Sequence, residues 1–363
     1  MKIIHTSDIH LGAHFVGLKL AGDKLRAGLK STFSRIIDYA IKEKADLFII
    51  AGNLFKNTDV SKNLQNFVAD ELSRLDSIPA IILPGQTDGS SDYAFWKSWD
   101  SLNSLKDVYL LADRKNPFIS LEELDCTVYG FPEILPNDHH HDDASPTARQ
   151  TTKYHIGVLC RSPDEVKAKT EDAGLNLDYI CLGGSDSFRD LSDSGINAAY
   201  SGSPEKLDFD QQNAGNIAIV EIDSGNKATI ARVDIGSFSW RSVEIKANEI
   251  FNNDDLVDKI KPLSGTDTLL RLKLTGLALF ESSLEPDYIQ QLLENEFMYL
   301  DIIDEMKVLP ENISEVKVSE KTILGQYIKL MAQKLNSSDN NLKPRLEKSL
   351  KIGYALLQGR ESW

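Results

Sequence analysis

The chain has 363 residues, 41% hydrophobic and 26% charged, which suits a folded globular protein and excludes a disordered one. Lys and Arg number 40 against 55 Asp and Glu; the resulting net charge of −15 excludes a protein that grips a phosphate backbone by charge alone. No apolar run reaches the roughly 18 residues of a membrane span, and Cys126, Cys160 and Cys181 are too few and scattered for a disulfide framework.

Length favours two domains and a small appendage. The opening KIIHTS reads as a strand, and nothing before it resembles a secretory leader, so the cytoplasm is the expected compartment. Residues 24–43 carry Leu25, Leu29, Phe33, Ile36, Ile37 and Ala40 at helical spacing. Strands at 46–52 and 78–85 alternate with helices near 61–74 and 92–104, and a short strand at 108–111 follows. A hairpin is expected over 118–130, strands at 154–160 and 177–183 with a helix at 163–171 between them, and a late hairpin at 216–223 and 227–235. Strands joined through helices imply parallel pairing, and the hairpins make the sheets mixed. The segment 137–153, with His139, His140 and His141, reads as a solvated loop, because nothing there fixes a coordination geometry. Trp96 and Trp99 read as core aromatics before base-stacking ones. Arg161, Arg189 and Arg241 read as ordinary surface cations before phosphate contacts.

After about residue 237 the pattern becomes a small α/β unit, then a linker from 307, then two helical stretches near 319–335 and 343–358. The expected division is 1–236 core, 237–306 cap, and 307–363 linker and tail. A two-helix tail is too small to hold a core of its own, so it is expected to pack on the body or on another protein. Leu346, Leu350, Tyr354 and Leu357 form an apolar stripe that is expected to meet a partner, the alternative being that the tail folds back on its own core.

Chemistry is expected where strands end. Ser-Asp-Ile-His-Leu-Gly (7–12) sets Asp8 and His10 two residues apart, just past the first strand. The other strand ends read AGNLFKN (51–57), LPGQTDGS (83–90), HIGVLC (155–160), CLGGSDSF (181–188) and YSGSPEKLDF (200–209). Together they resemble the SbcD-type DNA repair exonuclease family of the calcineurin-like metallophosphoesterases. The family pattern runs Asp-x-His-Leu-Gly, Gly-Asp-Leu-Phe-Asp, Gly-Asn-His-Asp, a strand ending in His, Gly-His-x-His, and Tyr-x-Gly-Ser-Pro. The resemblance implies an α/β fold: a four-layer calcineurin-like metallophosphoesterase sandwich of mixed sheets flanked by helices, with a small α/β capping domain and a helical tail. It also implies a partner for the tail, an SMC- or AAA-type ATPase, with DNA met weakly or through that complex. Relatives dimerise through the core domain; this sequence neither supports nor excludes that.

The resemblance assigns roles residue by residue. Asp8 and His10 match first-metal ligands. Asn53 stands where a bridging Asp belongs, and Gln86 where a ligand Asn belongs. Thr87 replaces the His that protonates the leaving group, while its partner Asp88 is kept. Cys160 replaces a second-metal His, and Gly184 and Asp186 replace the two His of Gly-His-x-His. The candidate metal set is therefore Asp8, His10, Asn53, Gln86, Cys160 and Asp186, with no catalytic residue assigned. His155 cannot substitute: it lies five residues from Cys160, about 16 Å along the strand and on the other face.

Two divalent ions about 4 Å apart repel by roughly 20 kcal/mol at an effective dielectric of about 20, and a neutral Asn53 cannot offset that. Thr87 in place of an imidazole removes general-acid help worth about 10²–10⁴-fold. A dinuclear manganese centre is not expected; one Mn²⁺ or Mg²⁺ at low occupancy is the most the set would hold. The expectation leans to a non-catalytic homologue. The alternative is a single-metal, Mn-dependent phosphodiesterase or DNA exonuclease.

Overall fold

The computed structural model describes residues 1–89, 94–112, 117–131, 151–160, 176–278, 284–308, 318–339 and 342–357. Arg161, the three consecutive histidines and the helix expected at 163–171 lie outside them, as does most of the expected linker.

Leu-Phe-Ile-Ile-Ala, the strand β2 (Leu47–Ala51), is buried at every position, as a strand covered on both faces must be. It pairs in parallel with β1 (Lys2–Thr6) and β3 (Ala80–Leu83), and β4 (Val108–Leu110) extends the sheet in the same sense. Parallel neighbours need crossovers; α1 (Lys19–Lys42) and α2 (Lys62–Ser73) supply two of them. Phe33, Ile36, Ile37 and Ala40 of α1 and Val68 and Leu72 of α2 close over Ile4, Phe48, Ile50 and Ile82 of the sheet.

A single helix was expected at 92–104. Two short turns form instead, α3 (Ala94–Lys97) and α4 (Asp100–Asn103). They sink Trp96 and Trp99 into a ring cluster with Phe55 and Phe95, and both tryptophans are fully buried.

A second sheet follows: β5 (Phe118–Leu121), β6 (Cys126–Phe131), β7 (Tyr154–Cys160), β8 (Tyr179–Gly183), β9 (Arg189–Asp190) and β10 (Ala198–Tyr200). Its order is β5-β6-β7-β8-β10-β9, with β6, β7, β8 and β10 parallel and the two edge strands antiparallel. The late hairpin β11 (Asn216–Ile222) and β12 (Ala228–Asp234) returns antiparallel beside β1, completing a first sheet ordered β12-β11-β1-β2-β3-β4.

The two sheets pack face to face through Ile3, Leu47, Ile49, Ala51 and Ile81 on one side and Val128, Ile156, Val158 and Cys181 on the other. At Gly183 the approach is backbone on backbone. A Cβ there would lie 1.6 Å from the Ala51 carbonyl oxygen, so no other residue fits.

The chain divides into two compact units, Met1–Phe238 and Ser239–Trp363. In the second, β13 (Ser239–Lys246), β14 (Gly265–Thr275) and β16 (Phe297–Asp304) form a parallel sheet. Helices Asn253–Ile260 and Pro286–Leu293 bury Leu256, Ile260, Ile289 and Leu293 against Leu270, Leu272, Leu274 and Leu300. The two-residue strands β15 (Leu277–Ala278) and β17 (Lys307–Val308) pair in parallel.

The tail is a helical hairpin, Ile323–Ser337 and Lys343–Leu357, whose first helix is capped by the Thr322 hydroxyl accepting from Gly325 N. Ile328, Met331, Leu350, Tyr354 and Ala355 form its own small core, with Leu346 half-buried at the edge. This corrects the expectation that the tail holds no core of its own, and it takes two of the four stripe residues inward. Leu350 and Tyr354 are turned inward, because each helix of a short pair is the other's nearest apolar surface; of the four, Leu357 is the exposed one, at 43%. Among the described residues no helix is long and apolar enough to cross a membrane.

His5 lies between the sheets, its Nδ1 3.0 Å from the Tyr179 hydroxyl. Burial drives its pKa down to about 3, against a small opposing effect of the Leu182 backbone. The folded state keeps the ring neutral, while the unfolded chain takes up a proton below about pH 6.5. The stability this represents is full above about pH 6.5 and is lost as pH falls towards 3, at about 1.4 kcal/mol per pH unit. His5→Gln, which keeps an acceptor for Tyr179, is expected to flatten the fall in unfolding free energy between about pH 6 and about pH 4, read by urea denaturation.

Candidate functional site

Every side chain singled out in the first unit's motifs lies at the carboxyl end of a strand. Asp8 and His10 follow β1, Asn53 follows β2, and Gln86, Thr87 and Asp88 follow β3. Cys160 ends β7, and Gly184 and Asp186 follow β8. Beyond their strands the first two connections stay zipped. Asp8 N donates to Gly52 O at 3.0 Å, His10 N to Asn53 O at 3.0 Å, Leu11 N to Leu54 O at 2.9 Å, and Lys56 N back to Leu11 O at 3.0 Å. Asp8, His10 and Asn53 all take left-handed backbone, φ 54°, 52° and 56°, where non-glycine residues are uncommon.

Three side chains gather there. Asp8, His10 and Asp186 each present a ligand atom, all within 4.8 Å of one another. His10 Nε2 stands 3.9 Å from Asp8 Oδ1, and the buried His10 Nδ1 has no hydrogen-bond partner among the described residues. Burial lowers the His10 pKa to about 4; the Lys56 cation pushes the same way and Asp186 opposes. The ring is therefore neutral at neutral pH, the form that ligates metal. Burial raises Asp8. It also raises Asp186, which the Asp8 charge raises further. Two carboxylates and a bare imidazole around one space fit a single Mn²⁺- or Mg²⁺-class ion, with water completing its shell.

The remaining candidates do not join this group. Asn53 turns its Nδ2 to Asp8 Oδ1 at 2.7 Å, and its Oδ1 accepts from Thr87 N at 3.0 Å. The oxygen a metal would need faces away from Asp8, so the expected ligand is a hydrogen-bond donor instead. Gln86 is exposed in the turn after β3. Cys160 packs its thiol where a side chain on residue 52 would begin, leaving room only for Gly52; it belongs to the apolar cluster between the sheets. Gly184 contributes its backbone N–H, 2.9 Å from Asp8 Oδ2.

His155 is buried beside the Tyr129 hydroxyl, 3.2 Å from Nδ1. The Arg189 guanidinium lies over the Tyr200 ring at 5.0 Å, and Arg241 bonds Ser239 Oγ in the second unit.

Asp88 is a structural clamp. Wholly buried, it accepts from Gly85 N at 2.6 Å on Oδ1 and from Leu54 N at 2.8 Å on Oδ2. Burial pushes it up to about 6 against those bonds.

Sequence reasoning passed over the serines that hold Asp8. Ser7 Oγ donates to Asp8 Oδ2 at 2.7 Å and sits 2.9 Å from Ser201 Oγ; Ser203 Oγ donates to the Asp8 carbonyl at 2.7 Å. Ser203 lies inside Tyr-x-Gly-Ser-Pro, the signal by which it could have been found.

The chain belongs to the calcineurin-like phosphoesterase family, whose model matches residues 1–184; its members usually bind metal ions. A solved structure, TT1561 of Thermus thermophilus, is similar over 63% of this chain and 97% of that one, at 11% identity and a TM-score of 0.41.

Protein equilibrated with Mn²⁺ is expected to hold at most one ion per chain by elemental analysis. His10→Ala and Asp186→Ala should each weaken that binding on the order of tenfold or more.

Proposed function

We propose that this chain is an SbcD-like member of the family that has kept the phosphoesterase scaffold and given up two-metal hydrolysis, working in the cytoplasm as a non-catalytic subunit beside an SMC- or AAA-type ATPase. The observation that carries this reading is the contracted ligand set: Asp8, His10 and Asp186 gather, while the positions of the bridging carboxylate and leaving-group acid hold Asn53 and Thr87. The Thr87 hydroxyl is already engaged, 2.7 Å from the Phe55 carbonyl. Two-metal cleavage needs paired cations on the attacking and leaving oxygens, and these donors do not supply a second site.

A second reading has one observation in its favour. The same three-donor group suits a single divalent ion, and with it a slow, metal-dependent phosphodiesterase or exonuclease.

The tail supports the partner half of the proposal. With Leu350 and Tyr354 inside the hairpin, the apolar side chains left outside are Ile323, Leu330, Leu342, Leu356 and Leu357. Residues 318–357 carry seven Lys and Arg against three Asp and Glu, opposite in sign to the chain as a whole. Exposed apolar side chains on a tail of net positive charge favour an acidic protein surface.

Two outcomes are expected. No Mn²⁺-dependent release of nucleotides from linear single- or double-stranded DNA should appear; digestion that disappears in Asp8→Ala would establish the second reading instead. Leu330→Asp combined with Leu356→Asp should abolish co-purification with a candidate ATPase and leave the protein's melting temperature within about 2 °C, since both side chains are about half exposed.

A further inference from the structure

We infer that the Asn53 carboxamide does the structural work of a bridging cation, so that the centre is built to fold and stay folded without metal. In a two-metal phosphoesterase the carboxylates at the strand ends are reconciled by cations. Here the contact is an amide N–H on a carboxylate, Asn53 Nδ2 to Asp8 Oδ1 at 2.7 Å, which needs no positive ion.

The orientation of the amide is unambiguous. Its one flank is a carboxylate, which only accepts, and its other is the Thr87 backbone N–H, which only donates. The Thr87 hydroxyl is 3.0 Å from Asn53 Oδ1 but 2.7 Å from Phe55 O; its single proton serves the nearer carbonyl, and the backbone N–H serves Asn53.

Asp8 then accepts on both oxygens: from Asn53 on Oδ1, and from Ser7 Oγ and Gly184 N on Oδ2. The amide is also held by shape. A Cβ on residue 85 would come within 2.3 Å of Asn53 Oδ1, so the side chain lies flat on the Gly85 backbone. One hydrogen-bonded line, Gly184–Asp8–Asn53–Thr87, ties the ends of β8, β1, β2 and β3. A cation held by Asp8, His10 and Asp186 would share Asp8 with this line, whose hydrogen bonds form without it.

The inference deepens the scaffold reading, and the two fail separately. Hydrolysis by a protein whose stability ignores chelator would sink the reading and spare the bridge. An inactive protein that melts on chelation would do the reverse.

The test is the melting temperature of the full chain in EDTA and in Mn²⁺ for the wild type, Asn53→Asp and Asn53→Ala. The wild type is expected to lose no more than about 2 °C on moving to EDTA. Asn53→Asp sets two carboxylates together and should fall by about 5 °C or more in EDTA, recovering in Mn²⁺. Asn53→Ala should fall in both. A wild type that drops as far as Asn53→Asp in EDTA, or an Asn53→Asp protein as stable as the wild type there, overturns the inference. Should Asn53→Asp fail to fold, the wild-type response to EDTA and the metal-insensitive loss in Asn53→Ala still decide it.

Discussion

Three non-glycine residues in left-handed backbone, Asp8, His10 and Asn53, are the constraint on which the rest of the centre depends. Each such residue costs on the order of 1 kcal/mol, and the cost persists only where the surroundings over-determine the conformation. Here they do. The zipped connections after β1 and β2 fix the backbone from both sides, Asp88 clamps the amides of residues 54 and 85, and the serines around Asp8 hold its side chain and its carbonyl. The strain is part of how the two sheets end together, whatever chemistry the place carries.

The same packing separates two kinds of position in the centre. Measured against the motifs the sequence resembles, the positions that would only touch a metal or a leaving group differ: an amide stands at 53, a hydroxyl at 87, a thiol at 160 and a bare backbone at 184. Residues that also shape the loops remain, Asp88 most plainly. With a threonine and no imidazole beside it, its carboxylate is wholly buried and saturated with backbone donors.

The fold was largely legible, since period-two and period-3.6 patterns report which faces are buried. The strands at β2 and β3 and the face of α1 came straight from runs of aliphatic residues. What the patterns missed was decided by neighbours. The stretch 92–104 looked like one helix, and the ring cluster around Phe55 broke it into two turns. Leu350 and Tyr354 sit at helical spacing whether they face a partner or the adjacent helix, so spacing alone could not choose between them. In the site, sequence named the donors but not their directions. Asn53 looked like a weak ligand until the geometry turned its nitrogen towards Asp8, and no pattern encodes the rotation of an amide. Ser7 and Ser203 were overlooked because a serine beside a motif is ordinary until its hydroxyl is seen to point inward.

Gly183 bears on how such a protein drifts over generations. The two sheets meet there with backbone against the Ala51 carbonyl, with no side chain between them to trim or enlarge. Imidazoles and carboxylates at the strand ends can be exchanged one at a time, each swap absorbed locally. Residue 183 cannot, because a single added carbon would wedge the sheets apart. A backbone seam of this kind therefore constrains the sequence more tightly than any one ligand position does.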